Sequence, residues 1–218
     1  VISVIVPWQP GCPYRERNWA YLRPFWERHG EVIEGVCDGP WSKGVAVRDG
    51  LARAHGDKIV VADADVWVDP TLAIESDATW AVPHLKVHRL SDESTVRMID
   101  GEPWRALPLD RSNSRDMKPY NGQPAGGVLV INRAALEQCL PDPRFVGWGH
   151  EDVAWDIALT TLYGNPWRDN ADLVHLWHPP QPRIDRSTGS HQSKALLRRY
   201  QKAARRPDRI HELLREVS

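Results

Sequence analysis

Three short β-branched runs separated by two helix-patterned segments fill the first 62 residues, and this alternation constrains the chain more than any other feature. Residues 2–6, 32–37 and 58–62 are apolar and strand-sized. Residues 14–29 and 44–55 carry apolar residues at helical spacing, with an interruption expected at Pro24. Strands alternating with helices predict a right-handed βαβαβ unit on a parallel sheet, so the expected fold class is α/β. Further strands are expected over 80–82, 85–90, 126–131 and 171–176. Helices are expected just after Pro70, over 132–140 with Asn132 as the cap, and over 151–163. Residues 91–123, rich in Asp, Ser, Arg, Asn and Pro, read as one long loop with at most short structure. Apolar residues at helical spacing on both sides of Pro207 predict two tail helices.

Composition removes several function classes. There are 28 Lys and Arg against 29 Asp and Glu, a net charge of −1 that argues against a generally basic nucleic-acid binder. The imbalance is local: residues 181–218 hold 10 Lys and Arg against 4 Asp and Glu. That tail reads either as solvated helix faces or as a docking surface for an anionic partner. No apolar run approaches the ~18 residues of a spanning helix, so no transmembrane segment is expected. The opening VISVIVPWQP lacks the basic flank and cleavage site of a secretory signal. Cys12, Cys37 and Cys139 are widely spaced and make no C-x-x-C pair, which favours a reducing compartment and a cytoplasmic location. Eleven tryptophans against two phenylalanines is an unusual ratio. Large rings mostly fill cores, while an exposed one offers a flat platform for a sugar ring.

The most informative segment is GDKIVVADADVWVDP, residues 56–70, in which an apolar strand ends in Asp63-Ala64-Asp65. At the carboxyl end of a parallel strand this pair lies in the crevice where open α/β sheets bind ligands. Two hard oxygen donors there suit Mg²⁺ or Mn²⁺ held jointly with substrate phosphates. Taken alone, the pair is equally an acidic turn after a strand. Glu151-Asp152 alone is equally an acidic pair favoured by a helix N-terminus. His175 and His178, in VHLWHPP after the last expected strand, would each by itself be structural.

In combination these segments resemble known families. WSKGVAVRDGLARAHG followed by the strand and the acidic pair is similar to the segment leading into the D-x-D motif of the family 2 glycosyltransferases. The residues carrying the likeness are Lys43, Gly44, Ala46, Arg48, Gly50, Ala54, Gly56 and Asp57, with Asp49 where the family usually has Asn. The first strand, through Pro7, resembles that family's first strand, and Asp38 stands where a carboxylate usually meets the nucleotide base. Residues 124–159 resemble the acceptor-side region shared by β-1,4-galactosyltransferases, chondroitin-type polymerases and polypeptide N-acetylgalactosaminyltransferases. There Gly126-Gly127 precede a strand, and Trp148-Gly149-His150-Glu151-Asp152 open a helix.

The resemblance spans roughly residues 1–180 and implies a GT-A fold, a Rossmann-like mixed sheet with flanking helices. It implies one catalytic domain with a nucleotide-binding half (1–70) and an acceptor half (71–180), followed by a basic helical tail (181–218). The implied activity moves a sugar from a nucleotide-diphosphate sugar, most commonly a UDP-sugar, to a hydroxyl of a glycan, protein or other acceptor. Mn²⁺ or Mg²⁺ would be held by Asp65 with His178 or His175. Pro7, Asp38, Lys43, Arg48 and Asp63 would contact the donor. Gly126, Gly127, Trp148, Gly149 and Glu151 would form the acceptor side, and Asp152 would be the general base, with Asp156 a lesser candidate. Asp at position 152, where the retaining polypeptide transferases have Asn, implies inversion.

Rival readings have weaker support. A sugar-phosphate nucleotidyltransferase would carry a glycine-rich loop with Arg after its first strand, and PWQPGCP is unlike one. An inactive carbohydrate-binding scaffold would use the tryptophans without metal-dependent turnover. A nucleic-acid partner would act through the tail and show steep salt dependence. Phosphate-loop, dinucleotide-fingerprint, zinc-protease and nucleophile-elbow motifs are all missing.

Overall fold

The computed structural model describes residues 1–109, 119–179 and 189–217. In chain order its elements are β1 (Ile2–Trp8), α1 (Pro13–Glu27), β2 (Glu31–Val36), α2 (Lys43–Arg53), β3 (Lys58–Ala62), β4 (Val66–Trp67), α3 (Thr71–Glu75), β5 (Trp80–Val82), β6 (Lys86–Arg89), α4 (Asp92–Ile99), β7 (Tyr120–Asn121), β8 (Val128–Asn132), α5 (Arg133–Gln138), α6 (Glu151–Tyr163), β9 (Trp167–Arg168), β10 (Asp172–His175), α7 (Gly189–Ala203) and α8 (Pro207–Arg215).

The expected parallel unit is present, since β1 pairs parallel with both β2 and β3. Alternate residues of these strands enter opposite cores. Val4, Val6, Val60 and Ala62 face a layer containing Trp19, Leu22 and Trp26 of α1. Ile5, Ile59 and Val61 face a layer with Val47 and Leu51 of α2 and Ala154, Trp155 and Leu159 of α6. Burial on both faces explains why β1 and β3 read as continuous apolar runs. The six-stranded sheet has the order β2-β1-β3-β8-β5-β9, and its other half is mixed: β8 runs antiparallel to β3 and β5. A second, four-stranded sheet, β4-β10-β6-β7, covers one face.

The tail helices share the α6 core through Leu196, Leu197, Tyr200, Ile210, Leu213 and Leu214. Tyr200 Oη donates to Asp142 Oδ2 at 2.8 Å, tying α7 to the loop that leads into α6. Among the described residues, no helix is long and apolar enough to cross a membrane.

Three local expectations need correction. α1 runs through Pro24 without interruption, because burial of Trp19, Leu22 and Trp26 outweighs the one backbone hydrogen bond that proline removes. Asn132 occupies the N-cap position of α5, but its side chain makes no capping bond. The long loop expected over 91–123 contains α4, whose Ser91 cap accepts from Ser94 N at 3.1 Å, a 3-10 turn at Trp104–Ala106, and β7. The buried stripe of α4 is Ser94, Thr95 and Met98, too polar to stand out as helical periodicity. Residues 110–118 of that segment, and the boundary expected at 180–181, lie outside the described residues.

Candidate functional site

Topology brings the sequence motifs together. β8 runs antiparallel to β3 with Ala62 opposite Val128, so Gly126-Gly127 arrive beside Asp63-Ala64-Asp65. Asp63 N donates to Gly127 O at 2.8 Å. In the second sheet His175 lies opposite Val66, and Leu176 N donates to Asp65 O at 2.8 Å. Two helices then hold the segment between the two histidines: Asn18 of α1 donates to Trp177 O at 2.9 Å, and Trp177 N donates to Thr95 Oγ1 of α4 at 2.8 Å.

Asp65, His175 and His178 offer ligand atoms that all lie within 4.8 Å of one another. His178 Nε2 is 3.2 Å from Asp65 Oδ2, and His175 Nε2 is 3.8 Å from Asp65 Oδ1. His178 Nδ1 lies 2.8 Å from Pro179 O, a contact that requires the proton on Nδ1 and leaves the Nε2 lone pair facing the carboxylate. Anchoring one ring nitrogen to a carbonyl fixes the tautomer and turns the other nitrogen toward the cluster, as in a metal-ligating histidine; here that nitrogen lies 3.4 Å from Arg15 Nη2. Burial pushes both imidazoles down; Arg89 adds to this at His175 and Arg15 at His178, so both stay neutral at pH 7 with lone pairs available. This N,N,O donor set fits Mn²⁺ better than Mg²⁺. Both histidines are therefore within reach of Asp65, where either one was expected to serve.

Asp63 enters a different cluster. Lys43, at the start of α2 and almost fully buried, places Nζ 3.0 Å from Asp63 Oδ1 and 2.9 Å from Asp152 Oδ1. Burial alone would lower the Lys43 ammonium, but Asp152, Asp63 and Glu151 outweigh it and the net shift is upward. α2 packs tightly on the loop leading into α6 because residue 44 is glycine: a Cβ there would lie 2.6 Å from Pro141 O. Ser42 Oγ donates to Pro143 O at 3.0 Å and Gly147 N to Trp41 O at 2.8 Å, locking the two segments. Gly126 packs closely on Asp152, since a Cβ there would stand 3.1 Å from Asp152 Oδ2. Gly127 has φ of 78°, a conformation that disfavours side chains.

Burial raises the Asp152 carboxyl above its ordinary range, and Asp63 adds to this while Lys43 opposes it. Burial, followed by the charge of Asp152, raises Glu151 as well, and its buried Oε2 has no hydrogen-bond partner among the described residues. Trp148 is 67% exposed, unlike most of the tryptophans, so its face is open to a ligand. Gly149 and His150 both have positive φ, 106° and 77°; the latter is uncommon for a non-glycine residue and stands at the N-cap of α6, two residues after Trp148.

Pro7 is buried in β1 and Asp38 is exposed two residues beyond β2, both at the carboxyl ends of their strands. Arg48 is not brought to either cluster. Five residues after Lys43 it lies on another face of α2, exposed, donating to Val217 O at 3.3 Å. Three further side chains approach the clusters and carry no sequence signal of their own. Arg15 sits with Nε 3.4 Å from Asp65 Oδ2 and Nη2 3.4 Å from His178 Nε2. His84 is fully buried near Gly122 and Gly127, neither ring nitrogen is hydrogen-bonded among the described residues, and burial lowers it to about 4. Gln123 donates to Asp156 Oδ2 at 2.8 Å.

No family model and no curated protein matches the chain. Solved structures do. A Drosophila β-1,4-galactosyltransferase 7 in complex with manganese, UDP-Gal and xylobiose aligns with a TM-score of 0.58 at 13% identity, over 88% of this chain and 78% of that one. Glucosyl-3-phosphoglycerate synthase from Mycobacterium tuberculosis, with Mn²⁺, UDP and phosphoglyceric acid, aligns with a TM-score of 0.52 at 17% identity, over 91% and 78%. Mannosyl-3-phosphoglycerate synthase from Rubrobacter xylanophilus aligns with a TM-score of 0.52 at 15% identity, over 95% and 75%. The chain therefore has the GT-A fold of these glycosyltransferase structures.

Proposed function

We propose that this chain is a metal-dependent glycosyltransferase that moves a sugar from a nucleotide-diphosphate sugar, most simply a UDP-sugar, to an acceptor hydroxyl with inversion. One observation carries the reading: an N,N,O cluster at Asp65, His175 and His178 shares the end of β3 with a separate acidic cluster at Asp63 and Asp152. Solved neighbours crystallised with manganese and UDP or UDP-Gal support it. Asp65, His175 and His178 would hold Mn²⁺ or Mg²⁺, which supplies Lewis-acid neutralisation of a diphosphate leaving group.

Within this reading Pro7, Asp38 and Asp63 contact the donor, and residues 1–70 and 71–180 divide donor from acceptor binding, with 181–218 as an added helical segment. Trp148 stacks on a sugar face and Glu151 accepts a hydrogen bond from the acceptor. Asp152 Oδ1 is engaged by Lys43, whereas Oδ2 takes no hydrogen bond among the described residues and faces the open side of Gly126. Oδ2 removes the acceptor hydroxyl proton as the new C–O bond forms at the anomeric carbon. The bond from that carbon to the diphosphate breaks on the opposite face, and its electron pair leaves with the nucleoside diphosphate.

The test is turnover of a panel of nucleotide sugars with Mn²⁺, following nucleoside diphosphate release, with Asp65→Ala and Asp152→Ala alongside. Metal-dependent release from one donor, lost in Asp65→Ala, is the expected result. Sugar affinity with no release from any donor and no metal-linked donor binding would instead support a binding scaffold.

A further inference from the structure

Beyond Asp152, α6 runs into a groove that neither cluster uses. Asp156, Ile157, Thr160 and Thr161 from α6, with Arg205 and Pro207 from the α7–α8 junction, line a cavity of about 450 Å³. That volume falls in the range of small-molecule sites.

The groove adjoins the candidate site along α6. Asp156 lies one turn beyond Asp152 on the same face of α6. Gln123 links the two: its Nε2 donates to Asp156 Oδ2 at 2.8 Å, and its Cβ lies 3.4 Å from the point where a Gly126 side chain would begin. Asp152 Oδ2 stands 3.1 Å from that same point. Thr160 Oγ1 donates to Asp156 Oδ1 at 3.3 Å. Across the groove Arg205 N donates to Thr161 Oγ1 at 3.1 Å, and Arg205, just past the end of α7, has φ of 63°, the left-handed conformation common after helix ends. Among the described residues its guanidinium has no partner.

The lining supplies one carboxylate, one guanidinium and two hydroxyls, and Arg168 acts on Asp156 from outside it. An anionic ligand would meet Asp156, and a cationic one Arg205. Neighbouring hydroxyls of a sugar donate to a carboxylate and accept from a guanidinium at once, so they satisfy both. We propose that this groove is a carbohydrate subsite for the part of the acceptor beyond the attacked hydroxyl. Its role as an acceptor subsite rests on the transferase reading.

The test is saturation-transfer NMR of cellobiose, lactose, maltose and mannobiose with the wild-type chain, Arg205→Gly and Thr160→Val. Glycine suits the backbone at 205 and valine matches threonine in shape, and thermal melting checks that both variants fold. In parallel, calorimetry measures UDP binding to the wild type with Mn²⁺. At least one disaccharide should receive saturation from the wild type, with a signal about fivefold weaker in each variant, the net worth of one hydrogen bond. No transfer to any disaccharide, or equal transfer in folded variants, with UDP still bound, would overturn the subsite alone. Absence of UDP binding would overturn the donor reading and the groove's acceptor role together, even where a disaccharide binds.

Discussion

Asp63 and Asp65 stand two residues apart, yet they enter clusters of opposite character. Asp63 shares with Asp152 a cation supplied by the chain itself, the buried Lys43 ammonium at 3.0 and 2.9 Å. Asp65 faces two neutral imidazoles, one of which turns a lone pair toward it at 3.2 Å, while Arg15 stands no closer than 3.4 Å and its Nε has no hydrogen-bond partner among the described residues. A lone pair opposite a carboxylate is repulsive, and the Arg15 guanidinium, 3.4 Å from each, is too distant to make a strong hydrogen bond to either. The difference is that Asp63 is already paired with a cation of the chain, whereas Asp65 faces neutral donors, which is the pattern the proposed metal site requires.

The sharpest way to break this contrast is to remove each carboxylate. Asp65→Ala should weaken Mn²⁺ binding at least about 100-fold, since even a lost outer-shell contact costs 10–100-fold; Asp63→Asn should leave far more of it, and equal losses in a calorimetric titration would dissolve the distinction. Asp152→Asn should lower transfer by about 10²–10⁴-fold, the range of a positioned general base, while metal-linked donor binding persists.

Replacing the internal cation should act on stability. Lys43→Met leaves Asp63, Asp152 and Glu151 without their ammonium and should cost about 2–4 kcal/mol by denaturant unfolding, toward the low end because both aspartates are partly solvated. The raised Lys43 contributes fully below the unfolded value of about 10.4, and its contribution is lost only as pH climbs through the higher folded value. The acids shift the opposite way. Glu151 and Asp152 are raised in the folded chain, so the folded state binds protons more readily and stability from these groups increases as pH falls through them. Activity needs the ionised base and should fall over the same interval. Parallel profiles of unfolding free energy and kcat/KM check this divergence, and an acid limb at the ordinary Asp value near 3.9 would refute it. The smallest effect is at Gly126→Ala, where a Cβ 3.1 Å from Asp152 Oδ2 should displace the carboxylate and lower turnover about 10-fold through misplacement.

Legibility followed how local each signal was. The apolar run ending at Asp63 and the pattern opening at Glu151 have the same bounds in sequence and structure, 58–62 and 151–163, because a charged pair punctuates each. α4 was hidden because its inner face is built from Ser94 and Thr95, and continuity through Pro24 because packing against two tryptophans overrides a lost hydrogen bond. The acids and histidines of the site stand out as chemistry. Their partition does not: that Asp63 meets Lys43 while Asp65 meets His178 depends on β8 running antiparallel to β3 and on β10 joining a second sheet. Arg15, His84 and Gln123 lie in segments whose sequence is unremarkable, and only tertiary contact brings them near the clusters.

The most direct test is a calorimetric titration of UDP into the chain after chelation, and again with Mn²⁺ restored, on wild type and Asp65→Ala. The account predicts UDP binding that depends on Mn²⁺ in the wild type and disappears in Asp65→Ala. UDP binding of equal strength with and without Mn²⁺, unchanged by Asp65→Ala, would contradict it.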